Sequence, residues 1–335
     1  MRFVRRYLVP RLIQYVLVIC LGITVVFFIP RLMPTDPVER VISALEAQGG
    51  YLDPAALEET ILTLRETYGL EEGLFKQYIS FWGRLFTLDF GPSLFMFPVP
   101  VFDLIRTALP WTAGLLLVSL LLGWTIGNIL GGLTGYFRQS RILKIFDGMV
   151  MLVRPIPYYI MALLLIIFFA YLLPIFPIGG GYTVGYKIAF TWRFVGSVLK
   201  HAFLPLLSLT LLNAAFRHQT MRLLVQTVRD EDFIHYAKIG NVKERTIFSR
   251  YVLRNAILPQ ITGLAMSLGM IFGGALITEI VFSYPGIGHL LYRAIVNGDF
   301  NLIMGITTIS IVAIATGILV IDFLYPLFDP RIRLK

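Results

Sequence analysis

Apolar runs of about 20 residues, the length an α-helix needs to cross roughly 30 Å of hydrocarbon, recur along the chain. They lie near residues 11–32, 111–134, 148–174, 201–225, 256–282 and 301–325, with charged stretches between them. The pattern predicts an all-α integral membrane protein with six transmembrane helices. The first run is longer than the apolar part of a usual secretory signal. It ends in FFIPRLMP, which lacks a small-x-small cleavage site, so it reads as a membrane anchor.

The polar segments are not alike. Residues 34–107 hold 11 of the 20 acidic residues against five basic ones and read as a water-exposed, helical extracytoplasmic insertion. TDPVERVISALEAQGG opens with Asp36 as N-cap, Pro37 at the first helical position and Glu39 placed for a capping box, and it stops at a glycine pair. LDPAALEETILTLRETYG repeats the start at Asp53 and Pro54, with Gly69 as its stop. In LFKQYISFWGRLFTL, Lys76, Gln77, Ser80, Gly83, Arg84 and Thr87 form a polar stripe. Leu74, Phe75, Tyr78, Phe81, Trp82, Leu85 and Phe86 share the other face, which predicts a helix lying on the membrane surface or the bundle.

The chain therefore divides into residues 1–33, an N-terminus and first span; 34–107, the insertion; and 108–335, a five-helix core. Within the core, a loop at residues 229–259 contains DEDFIHYAKIGNVKERTIFSRYVLRNAILP. Asp230, Glu231 and Asp232 suit a helix N-terminus, and Phe233, Tyr236, Ala237 and Gly240 recur at helical spacing. Gly240 and Asn241 then interrupt the helix, and Asn241 with Glu244 predicts a capping box for a second helix reaching Asn255. Such a helix, break and helix suits a docking surface, with the small Ala237 allowing close approach. The same residues also fit a solvated basic loop.

Composition supports lipid as the solvent: 57% of the residues are hydrophobic and 15% charged, with a mean hydropathy of +0.76. The net charge of +9 is spread between apolar runs rather than on one soluble domain, so topology explains it better than nucleic acid. Arg2, Arg5, Arg6 and Arg11, then Arg138, Arg141 and Lys144, then eight basic residues from Arg217 to Arg254, and finally Arg331, Arg333 and Lys335 all fall on one side. The opposite loops near 175–200 and 283–300 carry only Lys187, Arg193, Lys200 and Arg293. Retention of basic loops inside predicts that both termini are cytoplasmic.

Candidate chemistry is sparse. Cys20 is the single cysteine, which excludes an internal disulfide or multi-cysteine metal site, and His201, His218, His235 and His289 are scattered. No phosphate-loop, HExxH or GxSxG motif occurs, so neither an enzyme nor a cofactor site is expected. Glu279 and Asp322 lie near opposite ends of their spans, which suits structural pairing better than a proton relay. Pro155, Pro157, Gly269, Gly273 and Gly274 can bend spans or let them pack closely. A self-sufficient secondary carrier, with residues 230–259 as a regulatory loop, is the competing reading. No internal repeat supports it.

Ordered motifs along nearly the whole chain resemble the permease subunits of ATP-binding-cassette importers, particularly the dipeptide and oligopeptide (peptide/nickel) permease family. They are RRYLVPRLIQYVLV, PTDPVE, RETYGL, LDFGPSL, LRNAILP, EIVFSYPGIG and FLYPLFDPRIR. Residues 230–259 resemble the family's cytoplasmic coupling loop, often called the EAA loop. His235 and Tyr236 stand where its Glu and first Ala would be, Ala237 matches the second Ala, and Asn241 occupies the usual Gly; Thr35 also replaces a common Gly. The resemblance implies a multi-pass permease in a prokaryotic inner membrane, enclosing half of a translocation path. It also implies a second homologous permease, two ATPase subunits that bind ATP and Mg, and an extracytoplasmic substrate-binding protein. Phe233, Tyr236, Ala237, Lys238, Gly240 and Asn241 are the expected ATPase-coupling contacts. The implied cargo is oligopeptide, with oligosaccharide or a nickel complex as alternatives; Tyr51, Tyr78, Trp82 and Trp192 are aromatics suited to stacking on a sugar.

Overall fold

The computed structural model describes residues 9–31, 72–269 and 275–328. Among these, regular structure is helical, with one isolated bridge between Pro92 and Pro100. The helices expected from Asp36 and Asp53 and the positions Tyr51, Gly273 and Gly274 lie outside the described residues. Four described helices are long and apolar enough to cross a membrane, at Val9–Ile29, Val101–Tyr136, Trp192–Arg229 and Phe300–Phe323, and a bent pair makes a fifth if counted as one span. The backbone contacts separate two units, residues 1–111 with 286–316 and residues 112–285 with 317–335.

The first unit contains α1 (Val9–Arg31), α2 (Leu74–Thr87), the start of α3 (Val101–Tyr136), α11 (Ile287–Asn297) and the start of α12 (Phe300–Phe328). Its core is built from Ile23 and Phe27 of α1, Phe81 of α2, Ile105 of α3, and Leu302 and Ile306 of α12. Tyr78, Trp82 and Leu85 bring the apolar face of α2 onto that core, as the sequence pattern predicts. The polar stripe needs correction at Gln77, which is buried. Its amide oxygen accepts from Arg31 Nε at 3.1 Å and its Nε2 donates to the Glu72 carbonyl at 2.7 Å. A guanidinium at the end of α1 needs an acceptor, and that need turns Gln77 inward. Phe75 and Phe86, by contrast, are exposed.

Asp299 joins α11 to α12 and is fully buried. Its Oδ1 accepts the Leu302 N–H at 3.0 Å, capping α12, while Oδ2 accepts the Ser93 hydroxyl and the Phe95 N–H. One carboxylate thus holds the segment before α3 against the start of α12. Replacing Asp299 by alanine removes three charge-assisted bonds and leaves the buried Ser93 hydroxyl proton without an acceptor, although its oxygen still accepts the Met96 N–H, an expected loss of about 3 kcal/mol. Thermal unfolding in detergent measures it; an unchanged midpoint would show that this carboxylate holds nothing.

In the second unit, the expected third span is not one helix. α4 (Arg141–Val153) and α5 (Tyr158–Ile166), which continues as a π-helical turn over Ile167–Leu172, meet at 105°. Pro155 and Pro157 supply no backbone donors; Arg154 keeps helical dihedrals, whereas Pro157 turns extended at ψ 148°, and the run breaks there. α6 (Trp192–Arg229) is longer than its apolar run because the Thr191 side chain caps it, accepting the Phe194 N–H at 3.3 Å. The fifth apolar run is described as α9 (Leu253–Gly269) and α10 (Leu276–Val281), with 270–274 outside the described residues.

Helices α3 and α6 pack unusually closely. Gly123, Gly127, Gly131 and Gly135 recur every fourth residue of α3 and face α6. A Cβ on Gly127 would stand 2.6 Å from the Ala214 carbonyl oxygen and 2.7 Å from Arg217 Cβ, and one on Gly131 would overlap the His218 backbone. Next to this seam the Thr134 hydroxyl and His218 Nε2 are hydrogen bonded at 2.9 Å.

Candidate functional site

The loop after α6 folds as a structured bracket. α7 (Asp232–Ile239) starts with Asp232 in its first turn and ends with Lys238 in its last, each charge complementing the helix dipole. Asn241 has φ +57°, in the left-handed region. Its N–H donates to the Lys238 carbonyl at 3.0 Å, and the Val242 N–H donates to the Ala237 carbonyl at 3.1 Å. These paired bonds, with Val242 and Ala237 packed on the same apolar cluster, form a Schellman motif.

This corrects the expected capping box. Asn241 closes α7, because asparagine tolerates left-handed backbone, whereas the next short helix, α8 (Glu244–Thr246), is preceded by Lys243 with no side-chain cap. Glu244 instead accepts the Tyr136 hydroxyl at the end of α3. A π-helical turn over Ile247–Val252 then leads into α9.

The bracket is rooted in the ends of the long helices. Tyr136 of α3, Met221 and Val225 of α6, Ile234 of α7, and Ile247 and Val252 of the π-helical turn form one apolar cluster, in which Ile234 and Ile247 are fully buried. Arg229 adds a bond from Nη1 to the Tyr136 carbonyl at 3.1 Å. The six expected coupling residues do not share one environment. Ala237 is half-buried against this cluster, while Phe233, Tyr236, Lys238, Gly240 and Asn241 are exposed. Phe233, Tyr236 and Ile239 give α7 an outward apolar face, Tyr236 and Ile239 being 72% and 73% exposed. Ile239 was absent from the expected set, although its spacing from Tyr236 was legible.

The other candidates lie in varied surroundings. Glu279 is fully buried and accepts the Thr112 hydroxyl at 2.7 Å. Burial, with a contribution from the Glu279 carboxylate, pushes the Tyr284 hydroxyl up to about 12, so it stays protonated at neutral pH. His218 lies 3.9 Å from Asp147, which pairs with Arg222 at 3.1 Å; His201 bonds the Ser197 carbonyl; His235 is exposed. Among the described residues no group of three His, Cys, Asp or Glu is placed to hold a metal.

Several long apolar helices, with a structured loop packed on the ends of two of them, make this a multi-pass helical membrane protein. The sequence pattern of the binding-protein-dependent transport system inner membrane component matches residues 127–334. The oligopeptide transport system permease protein AppB of Bacillus subtilis is 30% identical over 316 residues, 94% of this chain and 95% of that one. The dipeptide transport system permease protein DppB of Lactococcus lactis subsp. cremoris is 27% identical, covering 98% of this chain and 99% of the relative. The oligopeptide transport system permease protein OppB of Haemophilus influenzae is 29% identical with the same coverage. The chain belongs to this family of inner-membrane permease subunits of ATP-binding-cassette importers, within its dipeptide and oligopeptide group.

Proposed function

We propose that this chain forms half of the translocation path of an importer for short peptides and transmits ATPase motion into that path through residues 229–259. The observation that carries the reading is the two-sided α7: Ile234 is buried on the ends of the long helices while Phe233, Tyr236 and Ile239 stand exposed. A helix fixed on one side to α3 and α6 and open on the other moves with them as a rigid body when a partner grips it. Phe233, Tyr236, Lys238, Gly240 and Asn241 meet the ATPase, and Ala237 lets the helix seat closely on its own cluster.

The partners are a second homologous permease, two ATPase subunits carrying ATP and Mg, and an extracytoplasmic substrate-binding protein; catalysis is theirs. The chain crosses the inner membrane six times with both termini in the cytoplasm, residues 34–107 outside and residues 108–335 as the permease core. Peptide cargo accords with the names of the relatives, which give no support to an oligosaccharide.

Purification from native membranes in mild detergent, followed by mass spectrometry, tests the reading. Two ATPases and a second permease are expected to co-purify, and the complex in vesicles is expected to import peptide only with ATP. A homo-oligomer that transports without any ATPase overturns it.

A further inference from the structure

A groove of about 710 Å³ runs between α3 and the helical stretch from Phe248 to Ile257. Trp124, Ile129 and Ile257 are among its apolar lining, and Asn128, Arg250 and Arg254 supply its polar groups. The arrangement departs from ordinary helix packing in three ways. Asn128 is only 4% exposed, and its Oδ1 is buried with no hydrogen-bond partner among the described residues. One hydrogen of its Nδ2 is committed to the Trp124 carbonyl at 2.7 Å, so the unpartnered group of the side chain is the acceptor Oδ1. Arg250 and Arg254, four residues apart, are exposed and make no ion pair among the described residues. The wall carrying Phe248, Ser249 and Arg250 is π-helical, a widening that recurs at functional sites.

A buried acceptor without a donor costs roughly 1–3 kcal/mol, and cations beside an apolar groove in a membrane protein attract an anion. An occupant that meets all of these features brings a hydrogen-bond donor, an anionic group and an apolar part, as the C-terminal residue of a peptide does; a phospholipid in the same groove is separated from it by the photocrosslink below. A lipid acyl chain brings no donor to Asn128. We propose that the groove is a station on the transport path for the C-terminal end of a short peptide. The carboxylate sits between Arg250 and Arg254, a backbone N–H meets Asn128 Oδ1, and the last side chain rests on Trp124, Ile129 and Ile257. The assignment rests on the peptide-importer reading above.

The test uses the assembled importer in vesicles, with benzoylphenylalanine in place of Ile129 and a radiolabelled apolar tripeptide supplied either with a free C-terminus or as its amide. Illumination during ATP-driven uptake is expected to link the free-acid peptide to this chain. The double variant Arg250→Gln and Arg254→Gln is expected to lower that adduct at least tenfold and to abolish the preference for the free acid over the amide, read as the ratio of the two uptakes so that any loss of coupling through residues 229–259, which lowers both alike, cancels. Asn128→Leu is expected to lower both peptides together, whereas Arg250→Lys with Arg254→Lys restores the preference for the free acid. Recovery of each variant in the full complex is measured alongside, so that loss of assembly is distinguished from loss of binding. An adduct consisting only of phospholipid or of the second permease overturns the groove assignment, as does equal loss of acid and amide in the glutamine pair. Wild-type vesicles that import no peptide overturn the importer reading and the groove with it.

Discussion

Replacing Tyr236 by alanine is expected to cut ATP-driven uptake at least tenfold while the chain stays folded in its membrane. The side chain is 72% exposed on α7, so its removal takes little from the protein's own packing. Aromatic anchors at the centre of a docking surface typically contribute about 2 kcal/mol or more when they are buried by a partner, which corresponds to roughly 30-fold in affinity. Tyr236 stands between Phe233 and Ile239 at three-residue spacing, the centre of the outward apolar face. The variant should therefore be recovered at wild-type levels but with much less ATPase bound. Co-purification, and uptake by reconstituted vesicles, measure the two quantities separately. Wild-type uptake by the variant would remove α7 from the contact. Ile234→Ala provides the comparison: it opens a cavity on the inward side and, at a typical 2–5 kcal/mol for such a truncation, should speed proteolysis of the loop itself.

That contrast shows where sequence reading reached its limit. Helical spacing made α7 legible, but spacing alone does not say which side faces the protein. At roughly 100° per residue, Ala237 lies about 40° from Phe233 and about 60° from Ile234, so it sits on the border between faces. The burial of Ile234 against Ile247 and Val225 decides the matter in favour of the inner side. The same ambiguity governs Asn241, a residue type suited both to opening a helix and to closing one; its φ of +57° shows that it closes α7. Long apolar runs located α1, α3, α6 and α12 well, because lipid selects length and apolarity directly. The start of α6 at Trp192–Lys200 was missed because Arg193, Ser197 and Lys200 interrupt the apolar run there, while the helix continues from the Thr191 cap. Pro155 and Pro157 were read only as residues that can bend a span or let it pack closely, and the 105° turn between α4 and α5 was not legible. The groove at Asn128 had no sequence signal, since α3 and the Phe248–Ile257 stretch are joined there only by folding.

The four-residue glycine repeat of α3 was present in the sequence and went unread, and it carries the second large effect. Gly131→Ala is expected to destabilise the protein by about 3 kcal/mol, the upper end of what overpacking usually costs. The new methyl group has nowhere to go, because its nearest neighbour is the His218 backbone rather than a side chain that can turn aside. Moving α6 away to admit it also strains the Thr134–His218 bond, leaving a buried imidazole short of a partner. Two sites on the same helix set the scale. At Gly132 the closest atom is Leu253 Cδ2, 3.0 Å away at the end of a flexible chain, so alanine there should be tolerated with a small loss. At Gly114 nothing lies within 4 Å, and alanine should stabilise slightly through its helix propensity, by up to about 1 kcal/mol. Thermal unfolding of the three variants in one detergent should therefore give the order Gly114→Ala, Gly132→Ala, Gly131→Ala from most to least stable. If Gly131→Ala matched Gly114→Ala, α3 and α6 would not meet at backbone distance in the folded protein. Because the apolar cluster under α7 draws Tyr136 from α3 and Met221 and Val225 from α6, prising these helices apart should also loosen α7. Proteolysis at Gly240–Asn241 should then rise in Gly131→Ala but not in Gly114→Ala, tying the glycine seam to the loop through packing alone.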